Sequence, residues 1–132
     1  MAEYRISEVA GLLGVSDDTV RRWIDAGTLP VHLDASRRKV VDGASLAAFT
    51  REHATAAPDP SDVHTSARNR MVGLVTEVVM DKVMAQVEMQ CGPHRVVSLM
   101  SREAVEELGL QPGSLAVAVI KSTNVVVETP RR

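Results

Sequence analysis

Gly14-Val15-Ser16-Asp17-Asp18-Thr19-Val20-Arg21-Arg22-Trp23-Ile24-Asp25-Ala26-Gly27 decides the reading of the first half of the chain. Ser16 reads as an N-cap, because its hydroxyl can accept an otherwise orphaned first-turn N–H. Asp17 and Asp18 follow in the first turn, where the helix dipole favours acids. Val20, Trp23 and Ile24 recur at i, i+3 and i+4, which makes one face apolar. Gly27 stands where a C-terminal cap belongs. The other face carries Asp18, Thr19, Arg21 and Arg22.

The neighbouring segments extend the pattern. Upstream, Ser7 is a good N-cap, and Val9, Leu12 and Leu13 share a helical face that Gly14 ends. Two short helices around a tight Gly-Val turn outline a helix-turn-helix. Arg21 and Arg22 would meet phosphates or base edges if the second helix enters the major groove. Downstream, Leu29-Pro30-Val31-His32 reads as extended, Ser36-Arg37-Arg38-Lys39 as a basic turn, and Val40-Val41 as a returning strand. This is a small wing with three cations at its tip. Asp42 caps a third helix, with Leu46 and Phe49 inward.

Tyr4-Arg5-Ile6-Ser7-Glu8-Val9-Ala10, Gly14-Val15-Ser16, Thr19-Val20-Arg21-Arg22-Trp23 and Gly27-Thr28-Leu29-Pro30 resemble the MerR/excisionase group of winged helix-turn-helix proteins, over about residues 4–52. The resemblance implies that the second helix reads the major groove of double-stranded DNA while the wing contacts its backbone. The expected contact residues are Ser16, Asp18, Thr19, Arg21, Arg22, Arg37, Arg38 and Lys39. Overall charge does not advertise this role, since the 132-residue chain carries a net −2. However, five of the seven cations before residue 54 lie on the second helix and the wing. Phosphate contact needs such local asymmetry.

Residues 54–65, which include Ala-Thr-Ala-Ala-Pro-Asp-Pro-Ser-Asp, show no apolar periodicity and read as a linker. Domains are thus expected at 1–53 and 66–130. Beyond the linker the period changes from helical to two. Met71 to Met80 is rich in Val, and Asp81-Lys82 makes a turn. Val83, Ala85, Val87, Met89 and Cys91 then alternate with Met84, Gln86, Glu88 and Gln90, as in a half-buried strand. Gly92-Pro93 turns into a strand over His94–Met100. Ser101 caps a helix over 102–108 that Gly109 ends. Strands follow at 114–121 and 124–128. Five strands and one helix suggest a small barrel.

This half is similar to the molybdate-binding Mop (molbindin) module of the TOBE group. The matching stretches are Ser66-Ala67-Arg68-Asn69, Gly73-Leu74-Val75-Thr76, Met100-Ser101-Arg102-Glu103, Glu107 to Gly113 and Val119 to Val125. The resemblance implies an OB-like fold with oxyanions bound between subunits. It carries the oxyanion contacts over to Ser66, Ala67, Arg68, Asn69, Ser101, Lys121 and Ser122. Some relatives have a hydroxyl residue where Ala104 stands here. The residue types suit the ligand: Arg68 and Lys121 supply charge, the serines supply hydroxyls, and N–H groups at the start of a helix attract anions. Molybdate and tungstate would be nearly indistinguishable to such a site.

The expected fold is therefore α+β: a winged helix-turn-helix followed by an OB-like five-stranded β-barrel with one short helix. With 2% aromatic residues, the cores must be aliphatic. Each half is near the lower size limit for independent folding, so a homo-oligomer is expected. A helix-turn-helix of this kind usually works as a dimer, and the resemblance to Mop modules implies larger rings, so the expectation is a dimer or a trimer of dimers. One cysteine, no membrane-length apolar run and no signal-like start point to the cytoplasm. The four histidines are scattered, and neither a phosphate loop nor a nucleophile elbow is present. No enzyme activity, metal cation or organic cofactor is expected. The function these residues indicate is a molybdate- or tungstate-responsive transcriptional regulator. The alternatives are molybdate storage and an oxyanion-indifferent, excisionase-like architectural protein.

Overall fold

The computed structural model describes residues 2–131. The chain forms two compact units, the first reaching Thr55 and the second starting at Ala56. Residues 54–65 have no helix or strand.

The first unit runs β1 (Glu3–Arg5), α1 (Ile6–Leu13), α2 (Asp17–Asp25), β2 (His32–Leu33), β3 (Lys39–Asp42) and α3 (Gly43–His53). Its strands form an antiparallel sheet in the order β1-β3-β2. Helix α1 starts one residue before Ser7, which is therefore not its cap. Arg5 holds that position, and its N–H donates to the Glu8 carboxylate at 3.2 Å. The chain thus passes straight from β1 into the helix. The core stripe of α1 is Ile6, Val9, Ala10 and Leu13, and Leu12 turns outward with 64% exposure, contrary to its expected inward face. Val20, Leu29, Val41, Leu46 and Phe49 complete the core. Trp23 packs on Phe49 with ring centroids 4.9 Å apart, a favourable tilted pair. Gly14, at φ 66°, lets the chain leave α1 in a left-handed turn.

The second unit runs β4 (Asn69–Met80), β5 (Met84–Cys91), β6 (His94–Ser101), α4 (Arg102–Leu108) and β7 (Leu115–Ile120). These strands form one antiparallel sheet in the order β6-β5-β4-β7. A bulge between Val75 and Glu77 curls β4, as extra residues in one strand do. There Val75 exchanges backbone bonds with the turn before β7, donating to Ser114 (2.9 Å) and accepting from Gly113 (2.8 Å). Gly73 lets β5 close over β4: a Cβ there would run into the Gln90 carbonyl and lie 2.7 Å from Cys91 Sγ. The expected alternation holds along β5, where Ala85, Val87, Met89 and Cys91 are buried with Val75 and Val105. Val83 departs from it. Its N–H is drawn to the Asp81 carboxylate in the turn, and its side chain is exposed.

The strand expected at 124–128 does not form, so the second unit's sheet has four strands, not five. A 3-10 turn at Ser122–Asn124, closed by Asn124 N–H to the Lys121 carbonyl, leads the chain away from β7. Val126 and Val127 are consequently 82% and 83% exposed. Strands β6 and β7 remain the two edges of a curled sheet. Among the described residues no helix is long and apolar enough to cross a membrane.

Candidate functional site

Helix α2 carries the expected DNA-contacting side chains. Ser16 Oγ accepts the Thr19 N–H at 3.2 Å and shares a 3.0 Å bond with the Thr19 hydroxyl, so both residues shape the helix start. Arg22 donates to Thr19 Oγ1 at 3.1 Å. Arg21 makes a long contact of 3.4 Å with Asp18, both being well exposed. Both guanidiniums lie on the side of α2 away from Val20, outside the core.

The basic turn is the loop of the β2–β3 hairpin, and one carboxylate organises it. Asp34 Oδ1 accepts the N–H groups of Ser36 (2.8 Å) and Arg38 (2.9 Å), while Oδ2 accepts Arg38 Nε at 3.1 Å. The Arg38 N–H bond is the largest influence holding the Asp34 carboxyl below its ordinary range, followed among the lowering causes by Ser36 and the Arg38 charge. Arg37 takes φ 61° at the tip, a conformation unusual for a residue with a Cβ. Arg38 is thus partly neutralised by Asp34, whereas Arg37 and Lys39 are exposed and have no side-chain partner among the described residues.

The second set of expected residues divides in two. Asn69 opens β4 and pairs with Ile120, the last residue of β7. Arg68 directly precedes Asn69 and Lys121 directly follows Ile120, so both sit at the end where that pairing stops. Asn69 Nδ2 fastens the join by donating to the Ile120 carbonyl at 3.1 Å. Arg68 donates to the Thr65 carbonyl at 3.2 Å, which orders the Ser66–Arg68 arm. Two cations thus flank the Asn69–Ile120 pair at the same end of the sheet, where like charges close to one another attract an anion.

Ser101 is not part of that group. It pairs with Met84, and β5 there adjoins the Met80 end of β4. A straight strand would separate the two ends of β4 by about 35 Å. Ser101 instead lines a second concavity of about 390 Å³ with Lys82, Val83, Arg102, Glu103 and Glu106. Its hydroxyl accepts the Ala104 N–H at 3.0 Å, and the Arg102 N–H donates to the Val83 carbonyl at 2.8 Å. The first-turn amides of α4 are thus largely in use. Lys82 is the cation that sequence reasoning missed here, since a turn lysine next to an aspartate carries no distinguishing signal. Among the described residues no group of His, Cys, Asp and Glu could hold a metal ion.

Residues 65–127 match the family model of the TOBE domain, and residues 3–54 match that of a helix-turn-helix domain. Molybdenum-pterin-binding protein 1 of Clostridium pasteurianum is 38% identical over 63 residues, which are 47% of this chain and 93% of that protein. The molybdenum transport protein ModE of Herbaspirillum seropedicae is 38% identical over 66 residues, 49% of this chain but 24% of its own length. Among solved structures, the cytoplasmic molybdate-binding protein ModG with molybdate bound is similar at a TM-score of 0.51 and 40% identity. That match covers 55% of this chain and 52% of that one.

Proposed function

This chain belongs to the TOBE-domain family through residues 65–127, and on that premise we propose that it is a molybdate- or tungstate-responsive DNA-binding transcriptional regulator. The observation that supports the reading is the Asn69–Ile120 pair, next to which Arg68 and Lys121 stand in sequence, in a chain that also has a helix-turn-helix domain. A tetrahedral dianion between two such cations relieves their repulsion, and Ser66 and Ser122 supply neutral donors beside them. Ser101 stands at the far end of β4. A site that uses all seven residues (Ser66 to Asn69, Ser101, Lys121 and Ser122) therefore takes them from two copies of the chain. Oxyanion binding then favours one quaternary arrangement, a dimer or a trimer of dimers, and so biases the spacing of the DNA-binding units.

The first unit is, on this reading, a MerR/excisionase-like winged domain. Helix α2 presents Arg21 and Arg22 to the major groove, and the β2–β3 hairpin presents Arg37 and Lys39 to phosphates. The protein works in the cytoplasm, and its domains bind rather than catalyse. A second reading, molybdate storage, draws on relatives that consist almost wholly of the second module. Selection of duplexes from a random pool, with and without molybdate, tests the regulatory reading. Enrichment of a defined sequence whose yield changes with molybdate supports it. No enrichment in either condition leaves storage.

A further inference from the structure

The segment between the two domains is not free along its whole length. Asp59 forms an ion pair with Arg70 of β4 at 2.7 Å, with side-chain exposures of 32% and 23%. The same carboxylate accepts the Ser61 N–H at 2.8 Å. Just beyond, Pro60, Ser61 and Val63 line a cleft of about 680 Å³ between the sheet's edge strands. Its other walls include Val96, Met100 and Leu110. One ion pair thus ties this short stretch to β4, a local Ser61 N–H bond shapes the same carboxylate, and Pro60, Ser61 and Val63 lie along the rim of the cleft.

We infer that residues 59–63 form a strap, latched by Asp59 to Arg70 across the cleft of the second unit, and that this latch sets the length of free chain leading to the first unit. With the strap seated, residues 54–58 are the free tether, with a reach of about 17 Å. With it released, residues 54–64 are free and the reach rises to about 37 Å. The latch is reversible, because a partly exposed ion pair contributes little. Its consequence for the separation of DNA half-sites rests on the proposed function. The strap itself does not.

Limited proteolysis of the full chain with thermolysin, scored at the Asp62–Val63 bond, tests the strap without ligand or DNA. Asp59→Asn lies on an exposed segment and leaves both cores untouched. It is expected to raise the cleavage rate about fivefold, the scale of a partly exposed ion pair. Arg70→Ala should do the same, and the exchange Asp59→Arg with Arg70→Asp should restore protection. A general loosening of β4 would not be cured by that exchange. Wild-type cleavage rates in Asp59→Asn, or an exchange that fails to restore protection, would overturn the strap. Failure of the regulatory reading would show separately, as absent molybdate or DNA binding with the cleavage pattern intact.

Discussion

The steepness with which DNA binding weakens with salt follows from the charges on α2 and the β2–β3 hairpin. Every phosphate neutralised by a side chain releases counterions, so log K falls against log salt with a slope of about −0.9 for each contact. Among the described residues, Arg22, Arg37 and Lys39 are exposed and have no carboxylate partner, while Arg21 and Arg38 already lie beside Asp18 and Asp34. Three free cations give a slope of about −2.7 for each DNA-binding unit, and all five would give about −4.5. Between 50 and 200 mM salt the smaller slope corresponds to a loss of about 40-fold in affinity. Fluorescence anisotropy on a labelled duplex of arbitrary sequence measures it, since this term does not depend on sequence. Arg37→Ala and Lys39→Ala should each make the slope shallower by about 0.9 per unit. Arg38→Ala should change it much less, because Asp34 already neutralises that guanidinium. A slope shallower than about −1, or equal slopes for wild type and the Arg37 and Lys39 variants, would refute the assignment of this face to DNA.

Other outcomes follow from the second unit. Arg68→Ala or Lys121→Ala should each weaken molybdate binding at least tenfold in calorimetric titration while leaving the melting of the first unit unchanged; wild-type affinity in both would remove them from the site. Gly73→Ala should destabilise the second unit by about 1–3 kcal/mol, because its Cβ meets Gln90 and Cys91. Scanning calorimetry would read this as a fall of roughly 4–24 °C in one transition only, and an unchanged profile would contradict the tight crossing of β4 and β5. The Arg70 guanidinium and the Ser61 N–H hold the Asp59 carboxyl at about 2, below its ordinary 3.8. A depressed carboxyl contributes stability above its unfolded value and loses it as pH falls through the folded one. Strap protection, read with an acid-active protease below pH 5, should therefore be constant above about pH 5 and decline progressively below it, and a decline already between pH 7 and 5 would contradict the latch.

The local patterns of the chain were legible where one residue type has one physical use. Gly14, Ser16, Asp42, Ser101 and Gly109 mark helix ends as expected, because caps depend on nearby amides. Alternation along β5 identified its buried face for the same local reason. Legibility failed where a distant or competing partner decides. Ser7 lost the cap of α1 to Arg5 because β1, paired with β3, delivers the chain into the helix earlier. Val125 to Glu128 have strand-like residues, yet the turn at Ser122 removes them from the sheet. The separation of Ser101 from Arg68 and Lys121 could not be read from spacing, since it depends on which end of a curled β4 each neighbour joins. The role of Asp59 was equally hidden, because a lone aspartate between prolines gives no sign of an arginine eleven residues away.

The most direct test of the central claim is calorimetric titration of oxyanion-free protein with molybdate, with sulfate as the control. Selective binding at micromolar or tighter affinity, lost in Arg68→Ala and Lys121→Ala, is the predicted result. No binding, or equally weak binding of molybdate and sulfate, would contradict the account and leave a helix-turn-helix protein with a β-rich module of other purpose.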